Sequence, residues 1–371
     1  MFLKNINLVN FKNYSEAELS FNSKINCLIG DNGEGKTNLL DAIYYLTFCK
    51  SFLNPIDSQN IKLKQDFLLI QGEFEKLDKS YLVHCGIKRG QKKVFKINKK
   101  EYEKLSEHIG EFPLVIISPA DISLITEGSD LRRKFLDGIL AQFDKTYLDV
   151  LFQYNKVLNQ RNALLKYFSK ERVFNKDQIE IWDEQLVKFG KIIGEKRKQL
   201  SVDLIPVFQK YYQKISGSKE TVSLAYESQL DNDANFIELL ENSVQKDIQR
   251  QYTNVGVHKD DLVFLLSGNP VKKFASQGQQ KTYLIALKLA QLEFLKEVKQ
   301  ITPILLLDDI FDKLDENRVG HLLDLVNSNE FGQIFITDTG LDRIERVLKK
   351  VNSASAIFIA ENGNLKQYLP S

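Results

Sequence analysis

Long apolar runs are missing from this chain: no stretch of about 18 residues is apolar enough to cross a bilayer. Its start, Met1-Phe2-Leu3-Lys4-Asn5-Ile6-Asn7, lacks the basic segment, apolar core and small cleavage residues of a signal peptide. Cysteine is scarce. Cys27, Cys49 and Cys85 are odd in number and show no paired spacing, which argues against a disulfide framework or a structural zinc site. Together these features lead us to expect a cytoplasmic protein with no membrane association. His84, His108, His258 and His321 are scattered and form no HExxH pattern, so a metal is expected to arrive with a ligand. Neither sign of charge dominates, with 51 basic against 49 acidic residues. Composition alone therefore does not mark a nucleic-acid binder.

What is present is a foldable chain of 371 residues, 43% hydrophobic and 27% charged, longer than the usual single domain. Strand-like segments occupy the first third: Ile6, Leu8 and Phe11, then Ile25 to Ile29 running into a glycine loop. Short alternating runs return from Leu68 to Ile97, with Arg89-Gly90 as a hairpin turn, and Leu114 to Ile117 is a buried strand. From about Leu131 to Val244 apolar residues recur at three and four spacing, and Pro206 is the only proline there. That pattern predicts a helical insertion. Strands resume at Leu262–Leu266, Ile304–Leu307 and Ile334–Thr337, with a long apolar helix, Tyr283 to Val298, between the first two.

Gly30-Asp31-Asn32-Gly33-Glu34-Gly35-Lys36-Thr37 matches GxxxxGK[ST], with an apolar strand before it and a helical pattern from Asn38 after it. Its glycines let backbone amides converge on phosphate oxygens, and the helix N-terminus behind adds its dipole. Lys36 is expected to reach the β- and γ-phosphates of ATP and Thr37 to ligate Mg²⁺. Ile304-Leu305-Leu306-Leu307-Asp308-Asp309 supplies a buried strand ending in two carboxylates, at the edge where ligands bind. Asp308 is expected to hold Mg²⁺ and Asp309 to orient or deprotonate the attacking water. Lys36, Asp308 and Asp309 are thus the candidate catalytic set.

Ser276-Gln277-Gly278-Gln279-Gln280 stands directly before the long apolar helix. It resembles the ABC signature, in which a serine hydroxyl and a helix N-terminus face the γ-phosphate held by a second subunit. Ser-x-Gly before a helix is also an ordinary N-cap, so its order between a P-loop and an Asp-Asp strand gives it weight. Asp312-Lys313-Leu314-Asp315 follows where the ABC D-loop belongs. The expected fold is therefore α/β: an ABC-type P-loop ATPase head, residues 1–125 and 255–371, with an inserted all-helical lid or arm, residues 126–254.

These motifs together resemble the RecF family of bacterial recombinational-repair ATPases. Three further stretches agree: Phe11-Lys12-Asn13-Tyr14; Ser118-Pro119-Ala120-Asp121 with Arg132-Arg133-Lys134-Phe135-Leu136-Asp137; and Gly256-Val257-His258-Lys259-Asp260-Asp261-Leu262. The likeness covers nearly the whole chain. It departs at Val257 and Lys259, where the family has Pro and Arg, and at Asp312, where it has Ser. Thr337-Asp338-Thr339 follows the last core strand, where related ATPases place a switch histidine, so slow hydrolysis is expected. The resemblance implies an ATP-dependent homodimer that binds single-stranded, gapped or junction DNA and acts with RecR and RecO. It implies recombinase loading, replication restart and a part in the SOS response.

The residues say less about DNA. The densest basic tract runs from Lys88 to Lys104, with Lys92, Lys93, Lys96 and Lys99 beside the aromatics Phe95 and Tyr102. It fits a phosphate-tracking surface and equally a solvated hairpin with Phe95 buried. Arg132-Arg133-Lys134 opens a helix and suits an acidic partner or nucleotide as well as DNA. Lys196-Arg197-Lys198 reads as an exposed helix face. A transporter ATPase fits poorly with the long interval between Lys36 and Ser276, and an SMC-type protein would need hundreds of heptad residues there. An ABC-type nuclease would be expected to carry a further acidic catalytic domain after Asp309, and that reading is not favoured. A nucleotide-gated adaptor with negligible turnover shares every motif.

Overall fold

Buried apolar side chains anchor the first strands. In β1 (Phe2–Phe11) Leu3, Ile6, Leu8 and Phe11 are buried, and β2 (Tyr14–Ser20) returns antiparallel to it. The fully buried β3 (Ile25–Ile29) leads through the glycine loop into α1 (Lys36–Phe48). Then come β4 (Phe67–Lys76), β5 (Lys79–Lys88), β6 (Val94–Ile97), β7 (Lys100–Glu101) and β8 (Leu114–Ile117). A helical stretch follows: α2 (Ser123–Thr126), α3 (Ser129–Phe143), α4 (Lys145–Glu171) and α5 (Lys176–Ser216), which continues through Pro206. Next are β9 (Val222–Glu227), α6 (Phe236–Arg250), β10 (Asp261–Leu266), β11 (Asn269–Pro270), α7 (Val271–Phe274) and α8 (Gln277–Lys299). The chain ends with β12 (Ile304–Leu307), β13 (Ile334–Asp338), α9 (Leu341–Lys350), β14 (Ser355–Glu361) and β15 (Asn364–Tyr368). These elements come from a computed structural model, which describes residues 1–217, 220–230, 235–310, 331–350, 354–361 and 363–368. The D-loop segment Asp312–Asp315 and His321 lie outside the described residues.

The chain divides into two compact units, one of Met1–Asp121, Tyr211–Gly217 and Leu284–Ser371, the other of Ile122–Lys210 and Ser218–Tyr283. The first holds two sheets. One is antiparallel, in the order β2-β1-β4-β5-β6-β7; the other runs β15-β14-β3-β13-β12-β8 and is parallel except for β15. Helix α1 touches β1, β4 and β5 of one sheet and β13 of the other. Its Leu39, Leu40, Ala42, Ile43 and Leu46 are all fully buried in a core shared with both sheets. In the parallel sheet β13 lies between β3 and β12. That order brings the ends of three strands, and the loops they carry, to one carboxyl edge.

The second unit is mostly helical but not all helical. Strand β9 pairs antiparallel with β10, which also pairs with β11. This corrects the expected all-helical insertion: within β9 only Val222 and Leu224 are buried, too short an alternation to stand out among long helices. The unit also groups residues 255–283 with the helices, whereas the sequence reading placed them in the head.

Arg161 is fully buried in this unit between Asp183 and Asp247, and it also donates to Thr253 Oγ1 at 3.0 Å. Removing one partner of such a buried pair leaves an uncompensated charge, at a cost of about 3–5 kcal/mol. Arg197 is buried too, with Nε and Nη2 on the Asp137 carboxylate at 2.8 and 3.0 Å and Nη1 on the Val257 carbonyl at 2.8 Å. The Lys196–Lys198 run is therefore not a plain exposed face. Among the described residues no helix is long and apolar enough to cross a membrane.

Candidate nucleotide-binding site

The P-loop leaves β3 at Ile29 and enters α1 at Lys36, as the strand–loop–helix pattern predicts. Its backbone could not be built from ordinary residues. A Cβ on Gly30 would stand 2.3 Å from the Ala360 carbonyl oxygen of β14. Gly35 has φ +106°, and a Cβ there would stand 2.3 Å from Asn13 Nδ2. Three successive residues hold this turn from outside. Lys12 Nζ pairs with the buried Asp41 of α1, Asn13 bonds the Glu34 carbonyl and the Asn38 amide, and the Tyr14 hydroxyl donates to the Gly35 carbonyl at 2.8 Å. The sequence showed Phe11–Tyr14 only as a family likeness. Its physical role is to brace the loop.

Lys36 is 4% exposed, with Nζ donating to the carbonyls of Gly30 at 2.6 Å and Asp31 at 2.9 Å. Those two contacts use two of the three ammonium donors. Asp31, Asn32 and Gly33 are exposed, and Glu34 is half-buried.

Thr37 Oγ1 donates to Asp308 Oδ1 at 2.9 Å, joining the loop to the end of β12. The same oxygen accepts from Thr337 Oγ1 at 2.9 Å. Asp308 is 5% exposed, and burial pushes its carboxyl above the usual carboxylate range while the Thr337 and Thr37 hydroxyls pull it back. Asp309 leaves the ladder with φ +45°, and its N–H donates to Thr337 Oγ1 at 2.8 Å. Beyond β13's Thr337, Asp338 is 3% exposed, accepting from the Gly340 amide at 2.7 Å and pairing with Arg343 at 3.2 Å. Asp338 therefore faces an arginine in the segment where a switch histidine was sought. An oxygen-only set of one hydroxyl and one carboxylate, brought within hydrogen-bond distance, suits a hard cation such as Mg²⁺ that keeps other ligands.

Ser276 belongs to the second unit and is exposed at the start of α8. Its amide donates to Gln279 Oε1 at 2.8 Å and its hydroxyl accepts from the Gln279 amide at 3.3 Å, a reciprocal capping box. Gln279 also donates to Glu220 at 2.7 Å. Gln277 is exposed beside Ser276 and Gly278 half-buried. The N-cap reading and an anion-facing helix end are thus the same local geometry.

The Arg132–Asp137 and Gly256–Leu262 stretches meet within this unit. Arg132 holds Asp261 with two bonds, of 2.7 and 2.9 Å, and Arg133 donates to the Asp260 carbonyl at 2.6 Å. His258 Nε2 faces the Thr253 carbonyl at 3.0 Å and its Nδ1 faces the Tyr154 hydroxyl at 2.8 Å. Burial lowers its pKa to about 4. These residues knit the unit together.

In the basic hairpin Lys92 and Lys99 are exposed and Lys96 half-buried. Lys93 departs from the expected DNA contact: its ammonium is held by Asp57 at 2.8 Å, the Cys49 carbonyl at 2.7 Å and the Tyr45 hydroxyl at 3.2 Å. It caps the carboxyl end of α1, where a cation is favourable. Phe95 is buried, its ring 4.6 Å from that of His108, so it offers no face to a base.

The family model for the RecF/RecN/SMC N-terminal domain matches residues 2–366. The DNA replication and repair protein RecF of Flavobacterium johnsoniae is 52% identical over 358 residues, covering 96% of this chain and 99% of that protein. A solved structure of the recombination mediator protein RecF with ATP, of the RecFOR pathway, has a TM-score of 0.89 at 32% identity, covering 99% of this chain and 98% of that one. An Smc head domain from Pyrococcus furiosus shares the fold at a TM-score of 0.59 and 16% identity, covering 99% of this chain and 96% of that one. With the P-loop, the Asp308-Asp309 strand end and the Asn13–Tyr14 brace converging on one sheet edge, the chain belongs to the RecF family of ABC/SMC-type ATPases.

Proposed function

We propose that this protein binds Mg-ATP in its first unit, dimerises over it, and in that form holds single-stranded, gapped or junction DNA for recombinational repair. The observation that carries the reading is the hydroxyl–carboxylate link from Thr37 to Asp308 across the P-loop and β12. Thr37 and Asp308 would hold Mg²⁺, which supplies charge neutralisation at the β- and γ-phosphates. Lys36 and the loop amides from Gly30 to Asn38 bind the phosphates, and Asp309 orients or deprotonates the attacking water. Ser276, Gln277, Gly278 and Gln279 meet the γ-phosphate held by a second copy of the chain. The solved relative named for the RecFOR pathway supports RecR and RecO as partners. Hydrolysis is slow and DNA-dependent in this scheme, and serves to release the dimer.

Asp309→Asn tests the assignment. The amide keeps the shape but cannot accept a proton as a carboxylate does, so turnover falls by about a hundredfold or more. ATP binding persists, and the variant accumulates as a dimer that binds gapped DNA more tightly than wild type by fluorescence anisotropy. Wild-type turnover would remove Asp309 from the mechanism, and equal DNA affinity with and without ATP would remove nucleotide gating.

The exposed lysines carry a separate expectation. Changing Lys92, Lys96 and Lys99 together to Gln lowers the slope of log K against log salt by about 0.7–0.9 per lost phosphate contact. Lys93→Gln instead lowers thermal stability, because its partners are inside the protein. An unaltered slope in the folded triple variant would return the hairpin to ordinary solvated surface.

A further inference from the structure

From the sequence, Thr337 is the end of a strand and the start of a segment lacking a histidine. In the structure its side chain is fully buried, and its hydroxyl stands between the two acidic residues at the end of the neighbouring strand. It accepts from the Asp309 amide at 2.8 Å and lies 2.9 Å from Asp308 Oδ1 and 3.4 Å from Asp309 Oδ1. A hydroxyl has one proton to give, and the shorter, better bond takes it to Asp308. That leaves the oxygen lone pairs for the Asp309 N–H.

The arrangement matters because of what the backbone does next. The Asp308 amide still donates across the sheet to the Ile117 carbonyl at 2.8 Å. One residue later Asp309 turns to φ +45°, a region that costs a non-glycine residue energy and persists only when its surroundings hold it. Its amide has left the ladder, and the Thr337 hydroxyl receives it instead of a backbone carbonyl. A neighbouring strand therefore sets the conformation of the second carboxylate through a side chain.

We infer that Thr337 is a positioning residue for hydrolysis: its hydroxyl anchors the Asp309 peptide, and with it the carboxylate direction, while bonding Asp308. This rests on the roles given to Asp308 and Asp309 above. The anchor acts on the geometry of the attacking-water site and not on the phosphate contacts of the P-loop. Removing it therefore separates turnover from binding. A hydroxyl that merely satisfied itself inside a strand would affect stability and leave turnover per folded molecule unchanged.

Thr337→Val keeps the branched shape and deletes the hydroxyl, and Thr337→Ser keeps the hydroxyl and deletes the methyl. Affinity for a fluorescent ATP analogue in Thr337→Val stays within about threefold of wild type. Its single-turnover hydrolysis falls at least about tenfold. Hydrogen–deuterium exchange of the peptide containing Asp309, measured without nucleotide, is faster in Thr337→Val, since the amide has lost its acceptor. Thr337→Ser matches wild type in all three. Wild-type turnover in Thr337→Val, unchanged exchange, or a Thr337→Ser variant as slow as Thr337→Val would each overturn the inference. Asp309→Asn, run alongside, separates the two levels. If it is slow while Thr337→Val is fast, only the positioning role fails; if it is fast itself, the Asp309 assignment fails first. Thr337→Ala repeats the test if the valine variant does not fold.

Discussion

Lys36→Ala abolishes tight ATP binding. The ammonium is buried at the mouth of α1 and bonded to the Gly30 and Asp31 carbonyls, so its position is set by the loop itself. A lysine held in this way loses little further freedom when it takes up phosphate oxygens, which favours binding. Hydrogen bonds to charged groups contribute about 1.5–3 kcal/mol each. The one ammonium donor left free by those carbonyls puts the expected loss at about tenfold to a hundredfold in affinity. The cost to the fold is smaller but not zero. Alanine deprives the Gly30 and Asp31 carbonyls of a donor; Asp31 is exposed and Gly30 half-buried, so water replaces the ammonium. A drop in Tm of no more than about 3 °C is expected from a loss near 1 kcal/mol. Isothermal calorimetry with Mg-ATP checks the first effect and thermal denaturation the second. Unchanged affinity would end the P-loop assignment, however well the loop matches its pattern.

The parts of this site that were legible in the sequence are those whose chemistry is local. Gly30 to Thr37 is contiguous, sits between a strand and a helix, and needs no knowledge of the rest of the chain. Asp308 and Asp309 were legible because four apolar residues precede them. Thr337 was not, because its importance comes from β13 lying between β3 and β12, a strand order that no spacing in the sequence encodes. Asn13 and Tyr14 were visible as a likeness, yet their contact with the loop is a tertiary one made from another strand. Charged residues misled for the same reason. Lys93 sits in a basic tract and Arg197 in a basic triplet, and both read as surface until Asp57 and Asp137 are placed beside them. Arg132 and Arg133 were left open between partner, nucleotide and DNA, and the structure gives them to Asp261 and the Asp260 backbone. A charge is read correctly from sequence only when its partner is a near neighbour. These partners are separated from their cations by tens of residues or more.

Ser276→Arg leaves ATP binding by the single chain intact and prevents dimerisation. In the structure Ser276 is an exposed N-cap, tied to Gln279 by two bonds, so no core packing opposes a larger side chain. Losing the cap costs about 1 kcal/mol, and a cation at a helix N-terminus costs a further ~0.3–1 kcal/mol. Neither is enough to unfold the protein, and the P-loop residues Lys36 and Thr37 belong to the other unit. In the proposed dimer the same helix end meets the γ-phosphate of a second copy, and a guanidinium there is far bulkier than the hydroxyl it replaces. Attraction between arginine and phosphate opposes the exclusion, so bulk must outweigh charge for the result to follow. Close-packed contacts tolerate added atoms poorly, typically at 1–3 kcal/mol or more, and the lost hydroxyl bond adds to that. Ser276→Ala separates the causes, because it removes the cap and the hydroxyl without adding bulk; it dimerises more weakly than wild type but measurably. Sedimentation velocity in Mg-ATP, with Asp309→Asn as the dimer-forming control, reads the outcome. A Ser276→Arg chain that binds ATP within about threefold of wild type yet stays monomeric supports the signature role. One that dimerises like the control would show that Ser276 caps α8 and does nothing more.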